Sequence, residues 1–164
     1  MTSLEDYLSM SYRPDCDFVD GKVIERNVGD RDHSWTMGQV ATYFYSRYKS
    51  HGFVPFLSLR IRVKPSRVRV PDVCVTAGFP DEQILTKPPV LCVEILSPED
   101  RMTSTMRRID DYLEMGVPMV WILSPETRHA YTVTTAEGLR EIKNGILRTE
   151  DRALELPLSA VFPQ

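Results

Sequence analysis

At 164 residues and 42% hydrophobic content the chain can bury a sizeable core, and it reads as one domain over residues 1–164. Its longest apolar runs are far too short to cross a bilayer, and no hydrophobic leader follows Met1-Thr-Ser-Leu-Glu-Asp6, so the expectation is a cytoplasmic protein with no membrane partner. A net charge of −3 gives no global attraction to nucleic acid, and Cys16, Cys74 and Cys92, odd in number and without CxxC spacing, point to free thiols rather than a disulfide framework.

Residues 3–10 read as a short amphipathic helix. Phe18-Val-Asp-Gly-Lys-Val-Ile24 reads as a hairpin, because Asp-Gly supplies the positive backbone angles a tight turn needs. Asp30 and Asp32 offer caps to a helix running to about Lys49, with Met37, Val40, Ala41, Phe44 and Tyr48 as its apolar stripe and Gly52 as its stop. Residues 53–63 and 68–76 then read as two successive strands. Leu59, Ile61 and Val63 alternate with Arg60, Arg62 and Lys64, giving one buried face and one basic face. Pro71 cannot donate to a ladder and predicts a bulge or an edge beside Asp72.

After a loop at 81–87, Val90 to Leu96 is the most apolar strand, ended by Ser97-Pro98. A helix follows over about 100–114, with Met102, Met106, Ile109 and Leu113 facing inward and Gly116 and Pro118 at its end. Arg101, Thr105, Arg108 and Tyr112 form a second face beside that stripe, turned toward the preceding strand. Met119 to Leu123 is another buried strand. Strand, helix, buried strand predicts a parallel pair with a right-handed crossover. The remainder, 129–133, 139–143 and 146–148, is an antiparallel meander. The fold class is α/β, of the mixed-sheet α+β kind, with flanking helices and a C-terminal antiparallel extension.

Two residues break this pattern. Asp72 and Glu94 sit in otherwise apolar strands, and a buried carboxylate is costly unless a cation or metal accompanies it. Glu94 shares a face with Val90, Cys92 and Leu96 and emerges near the carboxyl end of its strand, where sheets with parallel strands place ligands. Two carboxylates without a Cys/His cluster suit Mg²⁺ or Mn²⁺ rather than zinc. The same residues admit a plainer account, in which Asp72 pairs with Arg69 or another arginine and Glu94 with Arg108 or Arg101, needing no metal. His33 alone reads as a residue capping or packing the start of its helix.

The ordered set Asp17-Phe-Val-Asp-Gly-Lys-Val23, His33-Ser34, Val70-Pro-Asp-Val73, Val93-Glu-Ile-Leu-Ser-Pro98, Tyr112, Gly116-Val117, Val120-Trp-Ile122 and Leu156-Pro-Leu-Ser159 resembles the Uma family of restriction-endonuclease-like proteins, within the PD-(D/E)XK nuclease superfamily. The resemblance spans nearly the whole chain. It implies a restriction-endonuclease-like core and a Mg-dependent endonuclease acting on DNA, with Asp72 and Glu94 as metal ligands and Asp17 and His33 in support. It leaves room for a homodimer. The superfamily's lysine, two residues after the acidic strand residue, is here Leu96, and the family's alternative lysine in the next helix matches Arg108. Arginine does not give up its proton near neutral pH, so Arg108 is expected to hold a phosphate or stabilise developing charge. The alternative is a catalytically degenerate nuclease fold that serves as a binding or assembly protein.

Overall fold

The computed structural model describes all residues, 1–164. Helix α1 (Leu4–Ser9) is capped by the Ser3 side chain, which accepts from the Asp6 N–H. Strands β1 (Cys16–Val19) and β2 (Lys22–Glu25) form the expected hairpin, with Asp20 and Gly21 both at positive φ in its turn. Helix α2 (Arg31–Tyr48) buries Val40 and Phe44 along the predicted stripe. Asp30 occupies the position before its first turn, but its side chain makes no capping bond.

The two long strands expected over 53–63 and 68–76 are each broken in two. The first becomes β3 (Phe53–Leu57) and β4 (Ile61–Lys64), separated at Ser58, which has φ of 50°. The second becomes β5 (Arg67–Arg69) and β6 (Val73–Ala77), separated at Val70-Pro71-Asp72. Because β3 pairs with β6 and β4 with β5, the segment is one long hairpin bent at two facing points. Its outer half belongs to a sheet ordered β2-β1-β5-β4 and its inner half to a larger one. Pro71 therefore marks the passage between sheets. The bulge in this region lies elsewhere, between Arg62 and Lys64.

Strand β7 (Leu91–Ile95) leads into α3 (Met102–Met115), which returns to β8 (Val120–Ser124). Strands β7 and β8 lie side by side and parallel, as the strand–helix–strand pattern predicts. With β9 (His129–Thr134) and β10 (Gly138–Glu141) they complete a mixed sheet ordered β10-β9-β8-β7-β6-β3. A separate hairpin of β11 (Ile146–Arg148) and β12 (Glu155–Pro157) closes the chain. This is the mixed α/β architecture expected, with its antiparallel extension.

The large sheet separates two apolar layers. On one face Val73, Val75, Leu91, Val93, Trp121 and Leu123 pack with Val40 and Phe44 of α2. On the other, Cys74, Cys92, Val120 and Ile122 pack with Ile109 and Tyr112 of α3. Period-two alternation along β7 places Leu91, Val93 and Ile95 under α2, and Cys92 and Glu94 under α3. The inward face of α3 keeps Met106, Ile109 and Leu113 of the expected stripe but departs from it elsewhere. Met102 is 43% exposed, while Thr105, Arg108 and Asp111 are buried with Ile109 and Tyr112. The helix is turned toward polar partners, because Glu94 and the guanidinium groups of Arg67 and Arg69 lie beneath it. Gly116 ends α3 at φ of 111°, its N–H returning to the carbonyls of Leu113 and Tyr112.

Candidate active site

Ladder register brings the two unusual carboxylates together. Val73 opposes Val93 and Cys74 opposes Cys92, so one step further along the same antiparallel pair Asp72 lies beside Glu94. The backbone N–H of Ile95 donates to Asp72 Oδ2 at 2.7 Å, tying the bend at Pro71 to the end of β7. Both side chains are buried, Glu94 completely.

The cation that meets them is Arg26, at the end of β2, a residue that sequence reasoning misses. Its Nη2 lies 3.0 Å from Glu94 Oε2 and 3.7 Å from Asp72 Oδ2, so two carboxylates, one on β7 and one in the bend before β6, face one nitrogen. Its Nη1 donates to the Val70 carbonyl. Glu94 Oε1 accepts from the Tyr112 hydroxyl at 2.7 Å, and Arg108 Nε lies 3.6 Å from the same oxygen. That Nε is buried and has no hydrogen-bond partner. On the other side His33 Nε2, in the first turn of α2, is 3.4 Å from Asp72 Oδ1. The helix face predicted to look toward Glu94 does so through Tyr112 and Arg108. Arg101, at the position before α3, remains exposed.

The two carboxylates differ electrostatically. Burial pushes Glu94 upward, and neither the guanidinium groups of Arg26 and Arg108 nor the Tyr112 hydrogen bond bring it back to its ordinary value. Burial also acts to raise Asp72, but the His33 hydrogen bond and Arg26 outweigh it and hold Asp72 below the usual carboxylate range. For His33, burial lowers and the hydrogen bond and charge of Asp72 raise, leaving the imidazole net raised.

Asp17 sits on β1, one step removed from this pair. Its Oδ2 accepts from Arg69 Nη1 at 3.1 Å and its Oδ1 from the Val70 N–H at 3.0 Å. The partner foreseen for Asp72, Arg69, is thus committed to Asp17 and to Asp111, which accepts from Arg69 Nε at 2.7 Å. Asp17 braces the backbone just before Asp72 and does not touch Glu94's partners directly.

Two polar clefts open beside the pair. One, of about 580 Å³, is lined by Arg13, Arg60, His33 and Asp72, and the other, of about 470 Å³, by Asp17, Arg69, Arg101, Arg107 and Arg108. Arg26 and Asn27 line both. Asn27 Nδ2 donates to Asp100 Oδ1 at 2.8 Å, and Asp100 Oδ2 accepts from the Ser97 N–H at 2.7 Å. Residues 26–29 therefore run between the clefts, linked to the loop after β7. Gly29 ends this segment against His33, and a Cβ added there would overlap the imidazole ring.

No group of three or more His, Cys, Asp or Glu side chains converges into a ready-made metal cage. The Asp72–Glu94 pair nevertheless fits a divalent cation in charge, in the hardness of its oxygens and in convergence on one point. That point is taken by a guanidinium nitrogen. No helix is long and apolar enough to cross a membrane.

No curated protein matches the chain. Among solved structures it is similar to one described as "a putative nuclease belonging to DUF820" from Anabaena variabilis, over 99% of this chain and 98% of that one, with a TM-score of 0.86. At 20% identity that likeness establishes the fold. A family model, Uma2, described as "Putative restriction endonuclease", matches residues 4–163, essentially the whole chain. With the resemblance seen in the motifs now matched across the fold, the chain belongs to the Uma2 family.

Proposed function

We propose that this protein is a metal-dependent endonuclease that hydrolyses DNA phosphodiesters at the Asp72–Glu94 pair. The observation that carries the reading is the convergence of two buried carboxylates, one near the end of β7 and one in the bend before β6, on one cation position between two arginine-bearing clefts. Asp72 and Glu94 are the residues that would hold Mg²⁺ or Mn²⁺, which when bound polarises a phosphodiester and lowers the pKa of an attacking water. His33 and the Ile95 N–H fix the two oxygens of Asp72, and Tyr112 orients Glu94. Arg108 borders the cleft beyond Glu94, its Nε turned to Glu94, and its guanidinium is suited to a phosphate oxygen and to the charge that develops on it. Asp17 acts through Arg69 and the Val70 N–H, holding the bend from which Asp72 projects. The reading takes residues 1–164 as one working domain. Its three buried free thiols suit a reducing compartment such as the cytoplasm.

A second reading has a specific observation behind it. Glu94 already has Arg26 on one oxygen and Tyr112 on the other, and Asp72 is met by His33, Arg26 and the Ile95 N–H. A degenerate nuclease fold that binds or assembles without cutting would look the same. Incubation of the purified protein with supercoiled plasmid and branched DNA, with Mg²⁺ or Mn²⁺, separates the two. The endonuclease reading expects weak, metal-dependent cleavage that disappears in Asp72→Asn and Glu94→Gln, and that Arg108→Lys maintains or raises. Silence of both the wild type and Arg108→Lys with either metal would establish the second reading instead.

A further inference from the structure

We propose that Arg26 is the resident counter-ion of the Asp72–Glu94 pair, and that its guanidinium must withdraw, with the 26–29 segment that carries it, before a divalent cation can bind. The proposal rests on the metal-site reading above and adds a control to it.

Charge and geometry lead to the same place. Asp72 and Glu94 carry two negative charges, and Arg26 and Arg108 bring two positive ones within 3.7 Å of them. The two carboxylates are therefore already matched by the two arginines before any metal arrives, with His33 a further partner of Asp72 at 3.4 Å. Adding a divalent cation would leave an excess of at least two positive charges in a poorly solvated space, which is strongly unfavourable. A metal can only replace a cation already there. Arg108 faces Glu94 Oε1 alone, whereas Arg26 Nη2 lies between the oxygens of both carboxylates. Arg26 is the group that stands in the metal's position.

The segment that carries Arg26 is suited to move. The backbone N–H of Arg26 is held by the Asp15 carbonyl at 2.8 Å, but beyond it Asn27 is tied across by a single side-chain bond to Asp100, and Val28 projects into solvent at 68% exposure. The guanidinium itself borders both clefts, so space lies on either side of it. Outward movement of residues 26–29 would also join the two clefts over the carboxylates, opening Glu94 to a substrate that otherwise cannot reach it. Metal entry and substrate access thus become one event.

The test is calorimetric titration of Mn²⁺ into the full chain, with thermal melting of each variant in the absence and presence of Mn²⁺. Arg26→Gln should bind Mn²⁺ at least about tenfold more tightly than the wild type. Its metal-free form should melt lower, because two buried carboxylates have lost their shared cation, and Mn²⁺ should raise its melting temperature more than the wild type's. Asn27→Ala, which frees the segment but keeps the guanidinium, should bind Mn²⁺ a few-fold more tightly, and it serves if Arg26→Gln does not fold. Wild-type binding that is unchanged or weakened in both variants would overturn the plug and leave the metal site standing. Absence of Mn²⁺ binding in the wild type and both variants would overturn the metal site itself, and this proposal with it.

Discussion

The protein buries two arginine–carboxylate clusters on the same side of its large sheet, and they are built to opposite ends. Around Arg69 every polar group is matched. Its Nε, Nη1 and Nη2 are all committed, Asp17 and Asp111 each have both oxygens bonded, and Arg67 adds a bond to Asp111 at 3.0 Å. Around Glu94 the matching is incomplete. Arg108 Nε has no partner, burial pushes the Glu94 carboxyl upward despite two arginines, and open clefts adjoin the cluster. A buried ion network that is fully satisfied locks structure in place, whereas one left partly unsatisfied retains capacity for a ligand.

The largest effect expected from this contrast is at Arg69. Arg69→Met leaves Asp17 buried without a cation and Asp111 with only Arg67 and Lys64, and should cost about 3–5 kcal/mol in urea unfolding, with no recovery on adding Mn²⁺. Tyr112→Phe removes a hydrogen bond to a buried carboxylate and should cost about 1.5–3 kcal/mol by the same measurement. Glu94→Gln should cost less than Arg69→Met, because burial already weighs against its carboxylate, though two arginines lose part of their counter-charge. If Arg69→Met proves no more costly than Glu94→Gln, the distinction between the clusters fails.

The smallest effect is a pH dependence at His33. Its pKa is raised in the folded protein, so the stabilisation from its pairing with Asp72 is complete below the ordinary histidine value and fades as pH rises through the folded one. Asp72 is held low and remains ionised across that window. Urea unfolding at pH 6 and pH 8.5 should show the wild type losing stability relative to His33→Gln at the higher pH. Parallel pH profiles for the two proteins would remove His33 from the cluster.

Much of the fold and of the site is legible in the sequence, and for a physical reason. A carboxylate within an apolar strand is an anomaly in a local pattern, so Asp72 and Glu94 stand out, and the parallel pairing of β7 and β8 follows from strand, helix, strand. Tyr112 and Arg108 come from helical spacing toward Glu94. Arg26 gives no such signal. It follows Glu25 at the exposed end of a hairpin, where an arginine reads as solvated, and its partner Glu94 lies 68 residues away. The break at Ser58 is equally silent, since an apolar alternation runs on beyond it. Pro71 is conspicuous, but the sequence does not distinguish a bulge within one sheet from a passage between two. The inward polar face of α3 is hidden for a related reason. Arg108 and Asp111 are buried because partners from β7 and from β4 and β5 await them, and no property of the helix itself announces those partners.

The bent hairpin from Phe53 to Ala77 has a further consequence for how the molecule comes apart. Each of its arms contributes a strand to both sheets, so neither sheet can lose its hairpin half without pulling on the other through Ser58 and Asp72. Local opening is thereby coupled across the whole length of the arm. Amides of β5 and of β6 should exchange with solvent deuterium through the same global event, at matching free energies, whereas the terminal hairpin of β11 and β12 shares no ladder with either sheet and is tied to them only through the core contacts of Leu147 and Leu156.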